Sequence, residues 1–156
     1  FLNPSDYLLT TYAQQYNSVM AIGSGMLTGK GLNNNTITSV KGGNFISEPQ
    51  TDFIFAVLGE ELGFVGSCVV IVLLLFIVVE CLLIAKDAAD MTGRLIATGV
   101  AAIITFQTFV NIGVATALLP NTGLPLPFVS YGLSSLLANF IGIGLVLNVG
   151  LQRNRR

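Results

Sequence analysis

Four of the chain's eight acidic side chains, Glu48, Asp52, Glu60 and Glu61, fall within fourteen residues, directly ahead of its most apolar run. Carboxylates gathered where a chain enters a membrane are costly to place, so they mark a site for chemistry. Asp52 stands at the boundary, in Thr51-Asp52-Phe53-Ile54-Phe55. A carboxylate there can serve as a general base or anchor a hard cation through oxygen ligands. It can equally cap the helix that begins at Phe53. Glu48, four residues upstream, is a second candidate for a cation or for the surroundings of Asp52. Glu60 and Glu61 lie near the start of a helix, where acidic side chains complement the positive end of the dipole or hold partners.

A second candidate feature is Gly23-Ser24-Gly25-Met26-Leu27-Thr28-Gly29-Lys30-Gly31. A P-loop needs Gly five residues before its Gly-Lys pair and Ser or Thr after it, and here Ser24 and Gly31 hold those positions. Two readings remain: a turn whose backbone N–H groups face an anion beside Lys30, or a plain loop. The candidates for substrate contact are therefore Ser24, Gly29 and Lys30 from this turn, Glu48 and Thr51 flanking Asp52, and Ser130 from a proline-rich break further on. The chain has no His, which removes the commonest base and metal ligand. Cys68 and Cys81 lie in one apolar run without metal-like spacing and read as small apolar residues.

The elements that must position these residues belong to a membrane protein. Of 156 residues 53% are apolar and only 10% charged, with a mean hydropathy of +0.77, against about 25% charge in a soluble domain. A net charge of −1 without a basic patch gives no case for nucleic acid. The first residue is Phe and no signal peptide is visible, which suggests a piece of a longer protein.

Residues 1–52 read as a loop region containing an amphipathic helix. Asn3-Pro4-Ser5-Asp6 signals its start, Leu9, Tyr12, Tyr16 and Met20 recur at helical spacing, and Gly23 ends it. Such a helix is too polar to span a bilayer and is suited either to lying along its surface or to packing on the protein. Residues 32–44 read as an exposed polar loop. Residues 53–156 form a transmembrane region with spans near 62–85, 95–119 and 133–151, each near the roughly 20 residues that a hydrocarbon layer requires. Gly59 and Gly63 are a small-xxx-small pair that lets another element approach closely. Glu80 snorkels toward the polar turn at 86–94. Gln107 and Asn111 stand one turn apart and should bond a neighbouring helix. Between the second and third spans, 120–132 carries three prolines and two glycines yet stays apolar, so it is non-helical backbone that lines something. The fold class is thus all-α integral membrane.

Lys86, Arg94, Arg153, Arg155 and Arg156, five of the seven basic residues, fall on one side of a three-span arrangement. The positive-inside rule makes that side cytoplasmic and puts Asp52, the Gly-rich turn and the proline-rich break outside. Lipid-linked or extracellular substrates then fit better than nucleotides.

Read together, Ala21-Ile22-Gly23-Ser24-Gly25, Thr28-Gly29-Lys30-Gly31, Thr51-Asp52-Phe53-Ile54-Phe55-Ala56, Gly59-Glu60-Glu61-Leu62-Gly63, Asn111-Ile112-Gly113, and Leu119-Pro120 through Tyr131-Gly132 resemble, in order, the C-terminal part of the SEDS family of shape, elongation, division and sporulation proteins. The Thr28-Gly29-Lys30-Gly31 turn leans toward its RodA-like branch. The resemblance implies a fragment of a polytopic protein of about ten spans. It implies a glycosyltransferase in the bacterial cytoplasmic membrane that polymerises lipid II into peptidoglycan strands. It also implies a class B penicillin-binding protein as partner and assistance from a divalent cation, Mg or Mn. The family's essential aspartate maps to Asp52. Met26 and Leu133 stand where the family has Gly, and Asn17 where it often has Gln. A flippase for lipid-linked precursors and a non-catalytic scaffold are the alternatives; broken membrane helices suit the first and small-residue helix faces the second. The fragment by itself is expected to be inactive.

The topology is checked by placing a cysteine at Lys41→Cys in the full-length protein. An impermeant thiol reagent should label it in intact cells, whereas labelling only after lysis would reverse the orientation.

Overall fold

The computed structural model describes residues 6–32 and 51–153, with side chains placed over 12–32 and 51–152. Four helices follow in order: α1 (Asp6–Ser24), α2 (Ile54–Lys86), α3 (Met91–Ala115) and α4 (Leu133–Arg153). No strand occurs among the described residues. The helices α2, α3 and α4 are each long and apolar enough to cross a membrane. The short turn at 87–90 makes α2 and α3 antiparallel neighbours, and α4 packs back against both. Lys86, Arg94 and the end of α4 meet at one end of this bundle, where Val149 lies against Gly93 and Ile84 against Gly150. Beside them Cys81, Ala85, Ala97, Ala101 and Val146 form one buried cluster. At the other end a second core joins Ala21 of α1 to Phe53, Ala56, Val57, Val110 and Val114. Cys68 and Cys81 are free thiols.

The first span is longer than its apolar run, because α2 contains a break. Gly63 has φ 69° and ψ −167°, a conformation essentially reserved for glycine. An unbroken helix would pair the Phe64 and Val65 amides with the Glu60 and Glu61 carbonyls. Here Phe64 donates to the Met26 carbonyl at 2.8 Å and Val65 to that of Leu27 at 3.2 Å. The vacated carbonyls of Glu60 and Glu61 accept from the amides of Lys30 at 2.9 Å and Gly31 at 3.1 Å. The Gly-rich turn therefore completes the broken helix backbone for backbone. Such close approach excludes side chains: a Cβ on Gly25 would collide with the Gly59 carbonyl, one on Gly29 with the Glu61 carbonyl, and one on Gly63 with the Gly29 amide. The Gly59/Gly63 pair admits α1 and this turn. Met26 has φ 49° within the turn, which gives a physical reason for glycine being usual there.

The second span ends at Ala115, four residues before the expected 119. Leu118 N–H bonds the Gly113 carbonyl at 2.8 Å and Ala117 N–H that of Val114 at 3.1 Å, with Ala117 at φ 58°. This is a Schellman stop, and Pro120 disfavours helical backbone at the residue before it.

α1 packs on the spans through its polar side. Tyr12, Tyr16 and Met20 are exposed, while Gln15, Ser18 and Ala21 are buried against the spans. The reason lies at the end of α3, whose last carbonyls lack helical partners. Gln15 Nε2 donates to Val114 at 3.4 Å and to Leu119 at 2.7 Å, and Ser18 Oγ to Ala115 at 2.8 Å. The start signal at 3–5 and the loop at 33–50 lie outside the described residues.

Gly63→Ala should destabilise the protein by about 2–4 kcal/mol, from forbidden backbone plus overlap with the turn. Gly144→Ala, where a Cβ meets nothing within 4 Å, should change stability by less than about 0.5 kcal/mol. Thermal unfolding of the two variants in detergent checks the contrast.

Candidate active site

Asp52 lies on the turn 51–53 that leads into α2. Its neighbour Phe53 is 1% exposed and belongs to the core cluster that joins α1, α2 and α3. Burying this ring fixes the turn on the protein and leaves Asp52 half-buried at its edge. The N-cap of α2 is Phe53, and no side chain caps the helix. The capping expectation for Asp52 is therefore not met. Among the described residues no hydrogen-bond donor or cation takes its carboxylate. The Oδ2 atom faces Gly123, on which a Cβ would sit 3.5 Å away. A half-buried carboxylate opposite bare backbone leaves room for a ligand hydroxyl.

Two buried polar side chains hold this arrangement together. Asn111, 1% exposed on α3, donates through Nδ2 to the carbonyl of Asp52 at 2.9 Å and to that of Leu124 at 2.8 Å. One amide thus ties the carboxylate's own backbone to the proline-rich segment. Ser130 Oγ accepts from Leu126 N–H and donates to the Thr51 carbonyl, both at 2.7 Å. The segment is held in unusual backbone, with Phe128 at φ 62° and its ring edge-on to Phe140 at 5.8 Å. Gln107 Oε1, Thr108 Oγ1 and Asn111 Oδ1 are buried without partners among the described residues, so Asn111 is held by its donor side alone.

The structure thus brings Asp52, Thr51 and Ser130 together, with the Ser130 hydroxyl bonded to the Thr51 carbonyl, and adds Asn111 and Gly123. Asn111 was expected to bond a neighbouring helix; it bonds the irregular chain at the site, and Gly123 comes from the proline-rich break that the sequence marked as lining something without singling out this residue. Ser24, Gly29 and Lys30 stand elsewhere, against the α2 break. Glu60 is eight positions beyond Asp52, about 12 Å along a helix. Lys30 Nζ pairs with Glu60 Oε1 at 2.9 Å, with the Glu60 side chain 5% exposed. The Gly29 amide donates to Gly25 at 2.8 Å, and those of Lys30 and Gly31 to Glu60 and Glu61. These three N–H groups are already donated within the protein, so they do not face an anion. Ser24 Oγ bonds the Ala21 carbonyl at 2.7 Å. Leu133 is 81% exposed and crowds nothing in the break.

Glu48 lies outside the described residues. Among those described, no three His, Cys, Asp or Glu side chains converge. A cation beside Asp52 would meet one described carboxylate and take its remaining oxygens from water or substrate phosphates.

The family model for the cell cycle proteins FtsW, RodA and SpoVE matches residues 1–155. The chain is 42% identical over 149 residues to the stage V sporulation protein E of Bacillus subtilis, covering 96% of this chain and 40% of that one. It is 40% identical over 152 residues to a probable peptidoglycan glycosyltransferase FtsW of Geobacter metallireducens, with 97% and 40% covered. Over 136 residues it is 43% identical to the peptidoglycan glycosyltransferase MrdB of Escherichia coli K12, with 87% and 36% covered. The chain therefore spans about 40% of the length of the curated relatives it matches. It superposes with TM-score 0.72 at 29% identity on a solved chain of a peptidoglycan synthase complex that coordinates polymerization and crosslinking, covering 99% of this chain and 44% of that one. With an Asp→Ala mutant of the rod shape determining protein RodA of Thermus thermophilus the TM-score is 0.63 at 42% identity, covering 66% and 35%.

Asn111→Leu leaves the carbonyls of Asp52 and Leu124 unpaired. It should cost about 2–5 kcal/mol in stability and loosen residue 52. A thiol introduced by Asp52→Cys should then react faster with a soluble reagent in the Asn111→Leu background than beside native Asn111.

Proposed function

Because this chain belongs to the FtsW/RodA/SpoVE family, we propose that the protein containing it polymerises lipid II into glycan strands at the outer face of the bacterial cytoplasmic membrane, with Asp52 as general base. The observation that carries the reading is the Asp52 carboxylate, half-buried and unpartnered among the described residues, on a turn locked by Phe53, Asn111 and Ser130. In the transfer step the acceptor sugar's hydroxyl oxygen forms a bond to the donor's anomeric carbon. The bond from that carbon to the lipid diphosphate breaks, and the hydroxyl proton passes to the Asp52 carboxylate. Rigid backbone at Thr51–Phe53 supports this role, since a base must sit within hydrogen-bond reach of the proton it takes.

The chain is multi-pass and membrane-embedded, and its orientation is part of the proposal. Lys86, Arg94 and the C-terminal arginines face the cytoplasm under the positive-inside rule, and Asp52 faces outward. A class B penicillin-binding protein is the proposed partner, supported by the likeness to a synthase complex that couples polymerization and crosslinking. A divalent cation with Asp52 and Glu48 as candidate ligands remains a proposal resting on the charge of the leaving diphosphate. The lean toward the RodA-like branch is not decisive: sporulation, division and MrdB relatives are 42%, 40% and 43% identical.

Asp52→Asn in the full-length protein should reduce lipid II polymerisation by about 10²- to 10⁴-fold at unchanged expression. Retained polymerisation would remove Asp52 from catalysis, and transport of lipid II without polymerisation would favour a flippase.

A further inference from the structure

The gap between Asp52 and Gly123 is fixed by ties on both sides of it. Asn111 Nδ2 donates to the Asp52 carbonyl at 2.9 Å and to the Leu124 carbonyl at 2.8 Å. Asp52 and the residue after Gly123 therefore hang from one nitrogen. Ser130 Oγ makes a second tie one step away, accepting from Leu126 N–H and donating to the Thr51 carbonyl. Leu124 also packs against the core cluster that contains Phe53. Ahead of these ties the Gly123 amide donates to Asn121 Oδ1 at 3.3 Å, a turn in which an Asn side chain bonds the backbone two positions on. It leaves Gly123 at φ 67°. Residues 51–53 and 123–126 thus form two walls of a slot with Asn111 between them.

Two separate demands meet at residue 123. The first is backbone: left-handed φ is free for glycine and tolerated by asparagine. The second is clearance. A Cβ at position 123 would lie 3.5 Å from Asp52 Oδ2, with no other atom of the surrounding chain within 4 Å. A hydroxyl that gives its proton to Oδ2 must bring its oxygen to about 2.6–3.2 Å. Non-bonded heavy atoms need roughly 3.5 Å between them, so a side chain at 123 and that oxygen compete for one approach. Left-handed backbone alone would be served by Asn. Bare backbone over Oδ2 is served only by Gly.

We propose that Gly123 determines access to the carboxylate: the acceptor sugar's hydroxyl enters the slot over the bare Gly123 backbone and gives its proton to Asp52 Oδ2. The inference rests on reading Asp52 as the base, and it adds the oxygen that takes the proton and the side from which the acceptor arrives. Gly123 contributes no group to the chemistry and acts through the space it leaves. A filled slot holds the hydroxyl away from Oδ2 and slows the transfer, while the parts of the substrate that stay outside the slot still bind.

Gly123→Asn in the full-length protein keeps the left-handed backbone and fills the slot, so it separates the two demands. Its kcat for lipid II polymerisation should fall about 100-fold, the effect of a displacement near 1 Å. Its KM should stay within roughly threefold, since the lost interaction belongs to the transition state. Undiminished kcat would overturn the proposal. A second measurement reads the slot without catalysis. In the Asp52→Cys background, adding Gly123→Asn should slow modification of the thiol by a small alkyl thiosulfonate roughly tenfold, through steric overlap. Faster modification would show that the turn had loosened, as expected for Asn111→Leu; Gly123 would then be a backbone requirement only, and the proposal would fall. Asp52→Asn distinguishes the two readings. Retained polymerisation in that variant removes the base assignment and this inference with it. Polymerisation lost in Asp52→Asn but kept in Gly123→Asn removes this inference alone. Should Gly123→Asn fail to accumulate, the Asp52→Cys protein with native Gly123 still decides: the small reagent should outpace a bulky thiosulfonate, and equal rates would overturn the slot.

Discussion

Backbone hydrogen bonding without water is the constraint from which this structure follows. Inside a hydrocarbon layer each N–H and C=O must find a protein partner, and a broken helix leaves several without one. The chain breaks its helices twice near the same end, at Gly63 within α2 and after Ala115 in α3. Both breaks are repaired from the α1 region. The Gly-rich turn lends two amides and two carbonyls to α2, and Gln15 and Ser18 close carbonyls at the end of α3. α1 is accordingly integral to the packing. Its polar side is its inner side because that is where unpaired carbonyls lie, and its tyrosines are left facing outward.

The same economy shapes the ground around Asp52. Prolines and glycines after α3 produce a non-helical segment whose carbonyls need donors, and Asn111 and Ser130 supply bonds that cross between that segment and the residues next to α2. Each uses one side chain to bind two pieces of irregular backbone. Repairing the break and fixing the carboxylate are therefore one structural act. The lysine in the Gly-rich turn has a comparable structural duty. Its pairing with the buried Glu60 offsets part of the cost of burying that carboxylate, since isolated buried charge is strongly unfavourable.

Much of the fold was legible because membrane spans are written in composition. About twenty apolar residues with few charges can do little else than cross, so three spans, a polar turn near residue 90 and a broken segment after 119 followed without any tertiary information. Boundaries were less legible: α3 stops at 115 through a Schellman turn that has Ala117, not glycine, in left-handed backbone. The sidedness of α1 was hidden for a different reason. Periodicity reports which residues share a face, and it does not say whether that face meets lipid, water or unsatisfied carbonyls.

The candidate site divides along the same line. Composition, charge placement and the Thr51-Asp52-Phe53 stretch by themselves determined an all-α membrane chain with a carboxylate at the edge of its longest span, because hydrophobic run length and the cost of a charge are local properties. Which polar residues stand with that carboxylate was decided only by the tertiary structure. Asn111 lies 59 positions from Asp52 and Ser130 lies 79 from Thr51, and only packing turns such separations into contacts. Whether the Gly-rich turn faced an anion or was a plain loop was likewise open in the sequence; the fold spends the amides of Gly29, Lys30 and Gly31 on its own carbonyls, and an amide already donated has no proton left for an anion.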